Sequence, residues 1–299
     1  MTGRMGLAVG LALAALSVSG FAATFIFGES LTRTHGVSPE VLSFLRFAIA
    51  GSVMLAACSA TARGRRQLFA PTRREWLAML VLAPIGTCLM AWFVFMGCAR
   101  VSTANASMAD ALTPLMIFAV DAIRKRRVAA KGLVGLVFGF LGALLVIQVI
   151  HAVGIALEAY TIGDVYIMLS AAVWGVYTVW GRNLIFRFGS SVFTVWTMLI
   201  GAVMIGALLP FGAFVWPKTA TAWLQVAGLG LVSTLLPFWT WNAAGRFLPI
   251  STLAMMAYFT PVVAVALGIA FLGDRVSALQ WLGMAFIVGS ALIEKVQEW

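Results

Sequence analysis

The chain is written in long apolar stretches with hardly a charged residue, each about as long as a bilayer is thick. They cover approximately 5–28, 38–60, 75–98, 102–122, 131–150, 163–185, 190–212, 219–243, 247–272 and 277–294. About 20 apolar residues in a helix cross the hydrocarbon core. Lipid offers no partner to a backbone N–H or C=O, so a crossing segment must satisfy its own hydrogen bonds as a helix or join a closed barrel. The runs are continuously apolar and lack period-two alternation, which removes the barrel. The expected fold is an all-α integral membrane protein with ten transmembrane helices. Composition agrees: 62% of the 299 residues are hydrophobic and 10% are charged. Mean hydropathy is +1.02, whereas a water-soluble domain carries about 25% charged residues.

The net charge of +10 would suggest nucleic acid if it were concentrated. It is instead spread over short loops, as membrane topology requires. With the N-terminus in the cytoplasm, fifteen of the 20 basic residues face inward, including Arg63, Arg65, Arg66, Arg73, Arg74, Arg124, Lys125, Arg126 and Arg127. Arg33, Arg100, Lys218 and Arg275 face outward, and Arg46 lies inside a span. The bias predicts that both termini are cytoplasmic in a bacterial inner membrane. The first run follows Arg4 like a signal peptide, but its roughly 24 residues suit a retained span.

The stretch Leu16–Leu31 aligns without gaps on Leu169–Leu184: Ser17, Gly28 and Leu31 match Ser170, Gly181 and Leu184, and Phe21 faces Trp174. A Thr-Pro pair recurs inside two spans, at Pro114 and, 147 residues later, at Pro261. Gly142 matches Gly289 in the fifth and tenth spans. The chain thus reads as two copies of a five-helix unit, 1–152 and 153–299. Five is odd, so the second copy crosses in the opposite sense. Inverted repeats with interrupted helices are a signature of secondary transporters, with the substrate held near the midplane.

Two motifs carry a family resemblance. "LRFAIAG" (Leu45–Gly51) lies in the second span, and the stretch Pro249–Ile293 is the most specific segment of the chain. On these the sequence resembles the drug/metabolite transporter superfamily, of the EamA type with ten spans. "WN" at Trp241–Asn242 and "AYFTPV" at Ala257–Val262 resemble the YddG-type aromatic amino acid exporters. The first copy has "DALTP" where those exporters tend to have an amide and aromatics. The resemblance implies a midplane cavity formed by spans one, three, four, six, eight and nine, and export of a small amphipathic metabolite, aromatic or other apolar amino acids, by alternating access. The other readings are an uncoupled facilitator of a nucleoside, sugar or drug-like amine, a lipid-active membrane enzyme, and a purely structural membrane protein.

Residues that could carry transport follow from burial of polar groups in lipid. Pro114 and Pro261 free the carbonyls of Asp110 and Ala257, so a bend is expected at both, as a hinge or as a packing kink. Asp110 is the one acid well inside a span, and an intramembrane ionisable residue is a functional candidate by default. It either pairs with Arg46 or binds a substrate amino group or a proton; Arg46 alone would snorkel outward. Trp174 and Tyr177 share a helix face, as do Trp239 and Asn242. With Tyr258, Met108 and Asn105 they would make an aromatic pocket with a few polar anchors. Trp180 and Trp241 read as packing or lipid-facing residues. Gly132, Gly135, Gly139 and Gly142 form one face of small residues in span five, suited to close contact with a helix such as span ten. Cys58, Cys88 and Cys98 lack metal-ligand spacing. No cofactor or metal is expected. No HExxH or Ser-His-Asp set is present, His35 and His151 fall in outer loops, and no enzyme activity is expected.

Overall fold

The computed structural model describes residues 4–101, 110–126, 130–146, 150–151, 154–155, 162–260, 262–263 and 277–295. The described secondary structure is helical apart from one short antiparallel pair, β1 (Ile150–His151) with β2 (Gly154–Ile155). In the first half come α1 (Arg4–Glu29), α2 (Pro39–Ser59), a short α3 (Ala62–Leu68), α4 (Arg73–Ala83), α5 (Met90–Cys98), α6 (Thr113–Lys125) and α7 (Ala130–Val146). The second half has α8 (Ile162–Phe188), α9 (Ser190–Gly206), α10 (Ala220–Gly230), α11 (Leu236–Ala244), α12 (Ile250–Met256) and α13 (Ala278–Lys295).

Helix starts have local causes. Thr72 and Glu75 cap α4 reciprocally, with the Thr72 N–H donating to Glu75 Oε2 at 2.7 Å. The Thr219 hydroxyl accepts from the Ala222 N–H at 3.1 Å at the start of α10. Such caps satisfy N–H groups that have no partner within the helix.

Six helical stretches are long and apolar enough to cross a membrane: Met5–Thr34, Pro39–Ser59, Arg73–Cys98, Ile162–Phe188, Ser190–Phe211 and Ala220–Ala244. These occupy six of the ten expected spans. Spans five and ten are represented by α7 and α13, of 17 and 18 residues, whose apolar parts are shorter. Spans four and nine are described in part. Each is interrupted, by a turn at Ala111–Leu112 and another at Ala257–Tyr258. At Pro114 the sequence predicts a bend within a helix. The structure breaks the helix at Ala111–Leu112 and resumes it as α6 at Thr113, so Pro114 lies in a first turn, where a missing N–H costs nothing. The Ala257 carbonyl accepts from the Thr260 N–H at 3.1 Å. Pro261 lies outside the described residues.

Two spans widen near their middles into π-helical turns, at Pro84–Leu89 between α4 and α5 and at Leu231–Leu235 between α10 and α11, and a third such turn, Ser30–Thr34, ends the first span. The starts of the two mid-span turns are 147 residues apart, the same offset as the Thr-Pro pairs. Thr87 and Thr234 hold the widened turns by donating to the carbonyls of Ala83 and Leu229, at 2.5 and 2.7 Å. Pro237, just beyond the second turn, cannot donate to Ser233, and that carbonyl turns to Thr24 and Arg46 instead.

Helices pair across the halves: α1 lies along α11, α5 along α8, α2 along α9 and α7 along α13. The glycine face of α7 makes the last contact close. A Cβ at Gly142 would sit 2.7 Å from the Gly283 carbonyl and 2.9 Å from the Ile287 nitrogen. Large apolar side chains on the outer faces, such as Leu224 at 74% and Val203 at 70% exposed, have no protein cover. Leaving each in water would cost about 1.5–3 kcal/mol, and lipid removes that cost. The protein is a multi-pass, all-helical integral membrane protein.

Candidate functional site

A cavity opens where the two halves meet. It holds about 580 Å³ of space with open solvent included. Its wall comes from α1 (Val18, Phe21, Thr24, Phe25), α2 (Arg46), α5 (Met90, Val94), α8 (Ser170, Ala171, Trp174) and α11 (Trp241). The two interrupted spans contribute Asp110 with Thr113 and Ala257 with Thr260.

Interruption is what gives this wall its polar groups. A continuous apolar helix buries its backbone bonds and presents only side chains, whereas a turn brings polar atoms to the cavity. Asp110 precedes such a turn, and the Thr113 hydroxyl donates to its Oδ1 at 2.9 Å. The equivalent turn in the other half has Ala257 in place of the aspartate.

The aromatic part of the wall centres on Phe21 and Trp174, which align between the halves. The rings of Phe21 and Trp174 meet edge to face with centroids 5.4 Å apart. Phe238 touches both, at 5.6 and 5.0 Å, and Trp241 lies 5.9 Å from Trp174. Such edge-on pairs favour a fixed arrangement, so the wall is shaped before anything binds.

Arg46 is 1% exposed and does not snorkel. Its Nε donates to Thr234 Oγ1 at 2.9 Å and its Nη2 to the Ser233 carbonyl at 3.4 Å. The guanidinium carbon lies 5.1, 5.3 and 5.9 Å from the ring centres of Phe47, Phe95 and Phe238. Among the described residues the ion pairs are Arg33–Glu29, Lys125–Asp121 and Arg187–Glu75, so the expected alternative of an Arg46–Asp110 pair is not formed.

Of the sequence-predicted site residues, Asp110 and Trp174 line the cavity. Tyr177 and Asn242 sit outside its lining in a buried polar network. Asn242 Nδ2 donates to Tyr177 Oη at 3.1 Å and to Thr194 Oγ1 at 2.9 Å, and Tyr177 Oη is 3.3 Å from Thr197 Oγ1. Gly86, bare in its widened turn, leaves the room that the Tyr177 ring fills. Trp239 donates from its indole to Ser191 Oγ at 3.0 Å. The Tyr258 hydroxyl donates to the Leu136 carbonyl at 3.0 Å, which ties the interrupted span to α7. Asn105 and Met108 lie outside the described residues. Trp180 is 43% exposed, as a lipid-facing residue should be. Trp241, expected to be a packing residue, instead lines the cavity and donates to Thr178 Oγ1 at 3.2 Å.

Sequence reasoning left Phe21, Thr24, Ser170, Thr113, Thr260 and Arg46 out of the site. The signals were present for two of them: Phe21 aligns with Trp174, and Arg46 is an intramembrane cation. The hydroxyls gave no signal, because small polar residues are common wherever membrane helices touch.

The model of the EamA-like transporter family matches the chain twice, over residues 8–148 and 161–293. The uncharacterized transporter YyaM of Bacillus subtilis is 24% identical over 258 residues, which cover 84% of this chain and 82% of that protein. An uncharacterized transporter of Archaeoglobus fulgidus is 24% identical over 262 residues, 84% of each chain. The uncharacterized transporter sll0355 of Synechocystis is 22% identical over 299 residues, 92% of this chain and 88% of its own. A crystal structure of another protein shares the fold with a TM-score of 0.76, covering 99% of both chains at 24% identity. Names in the family and among these relatives are those of transporters rather than enzymes. With both halves matched, the chain belongs to the EamA-like transporter family and is a membrane transporter.

Proposed function

We propose that the protein exports small amphipathic metabolites, aromatic and other apolar amino acids, across a bacterial inner membrane by alternating access. The observation that carries this reading is the cavity between the halves, whose lining combines the aromatic residues Phe21, Trp174 and Trp241 with the polar residues Asp110, Thr113 and Thr260. An apolar side chain suits the first set and an amino group suits the second. Ten spans in two inverted repeats, 1–152 and 153–299, would place this lining at the midplane. The equal offsets of the mid-span π turns and of the Thr-Pro pairs support that arrangement, as does the exchange symmetry of the pairings α1–α11 with α5–α8. In this reading the interrupted spans at Pro114 and Pro261 bend as the halves rock. In this reading both termini are cytoplasmic, which the distribution of basic residues among the loops supports.

A melting screen of the purified protein against the twenty amino acids, sugars, nucleosides and amines tests the substrate. A ligand specific to the folded state must raise the melting temperature. Phenylalanine and tryptophan are expected to do so, and Trp174→Ala is expected to weaken them about 3- to 10-fold, the worth of one aromatic contact. A response confined to sugars, nucleosides or amines would move the substrate to that class. Conversion of the substrate during transport would replace export by enzyme activity.

A further inference from the structure

Arg46 lies seven residues into α2, about 10 Å along the helix from its start. Its contacts are two neutral hydrogen-bond acceptors and three phenyl rings, and none of them carries a negative charge. Its remaining nitrogen, Nη1, is buried with no hydrogen-bond partner. A cation held away from water without an anion is costly, and an unmade hydrogen bond adds to that cost. The rings offset part of it. The arrangement stays fixed because Nε is held by Thr234, in the widened turn between α10 and α11, and Nη2 by the carbonyl that Pro237 releases. The helix paired with α2, α9, contains no charged residue that could answer it.

We infer that Arg46 is the anion receptor of the cavity and that the transported molecule presents a carboxylate to it. This rests on the reading of the cavity as the transport site. A guanidinium offers parallel N–H donors that match a carboxylate; Arg46 is among the residues lining the cavity, and its Nη1 is the nitrogen left without a partner. Asp110 lines the same space, so a molecule with one carboxylate and one ammonium group leaves the filled site neutral. A phosphate ester would bring a second negative charge towards Asp110. The polar groups therefore select a zwitterion, and the aromatic wall receives its side chain.

Matched ligands test the receptor in melting and flux assays on the full-length protein. The pairs are phenylalanine with phenethylamine, tryptophan with tryptamine, leucine with isopentylamine, gluconate with glucose, and a nucleoside monophosphate with its nucleoside. The carboxylate member of at least one pair is expected to stabilise the wild type far more than its partner. Arg46→Gln is expected to weaken that member about 10- to 100-fold, the worth of a hydrogen bond to a charged group, and to leave the partner unchanged. The discrimination between members separates binding from a fold defect, which would weaken both alike. Where Arg46→Gln does not fold, Arg46→Lys and Thr234→Val carry the test: each retains a cation but loses the oriented fork, and each is expected to bind the carboxylate more weakly, by about 3- to 10-fold. If gluconate responds and the amino acids do not, the amino acid reading falls and the receptor stands. Equal responses within every pair, a response confined to the phosphate, no response at all, or unchanged discrimination in the Arg46 variants would overturn the receptor.

Discussion

Asp110 and Arg46 are both supplied by the first half of the chain, and the positions opposite them in the second half are uncharged. That asymmetry gives the cavity both of its charged lining residues from one half. If protons drive export, Asp110 is the group best placed to carry them, because it lines the cavity and keeps one oxygen on Thr113. Asp110→Asn preserves the shape and removes the exchangeable proton. In liposomes, flux driven by a pH gradient is expected to fall to the rate seen with no gradient, while flux driven by substrate alone persists with weaker apparent affinity. Unchanged dependence on pH removes Asp110 from coupling and makes the protein a facilitator in this respect. Tyr177 and Asn242 belong to another class of residue. Their network, closed by Thr194 and Thr197, fixes how α8, α9 and α11 sit together, and each donor in it has a nearby acceptor. In a membrane interior that satisfaction is what makes buried polar groups tolerable.

At the scale of elements, glycine placement decides which helices touch. Gly142 and Gly289 match in the repeat alignment, yet their surroundings differ. A Cβ at Gly142 would meet the backbone of α13 at 2.7 Å, whereas one at Gly289 would meet nothing within 4 Å. Backbone cannot give way as a flexible side chain can. Gly142→Ala is therefore expected to destabilise by about 1–3 kcal/mol, the usual cost of overpacking. Gly289→Ala is expected to be neutral or to stabilise by up to about 1 kcal/mol, as alanine does in a helix. Thermal melting of the two variants in detergent distinguishes them, and equal destabilisation would refute the packing account. The mid-span π turns are a second device at this scale. Each widens a span near its middle and lets a neighbour approach: Tyr177 beside Gly86 in one case, and Arg46 and Thr24 beside Ser233 in the other.

The whole molecule joins its halves helix by helix, so the cavity has walls from both and belongs to neither. An inverted repeat requires that the first and second copies begin on opposite sides of the membrane. Green fluorescent protein folds in the cytoplasm and alkaline phosphatase outside it. A fluorescent protein fused after Trp299, or placed in the basic loop near Arg126, is expected to shine, and a phosphatase placed near His151 is expected to be active. Phosphatase activity at the C-terminus would contradict the proposed orientation, and activity both there and near His151 would contradict the odd number of spans in the second copy.

The sequence by itself determined the membrane class, because apolar runs of bilayer length leave a backbone no alternative to the helix. It also marked Asp110 and Trp174, since an acid in lipid and an aromatic shared with an aligned position are local signals. Helix length and hydropathy are properties of neighbours in the chain. Only the tertiary structure decided that Trp241 faces the cavity, that Tyr177, Asn242, Trp239 and Tyr258 lie outside its lining, and that the break beside Pro114 falls at Ala111–Leu112. It alone showed Arg46 held away from Asp110, against three rings and the carbonyl left open by a proline 191 residues further along. Those facts depend on which helices meet across the two halves. Every face of a membrane helix is apolar enough to sit in lipid, so periodicity gives no reading of which face turns inward. Packing, small-residue contact and the satisfaction of a few polar groups settle it.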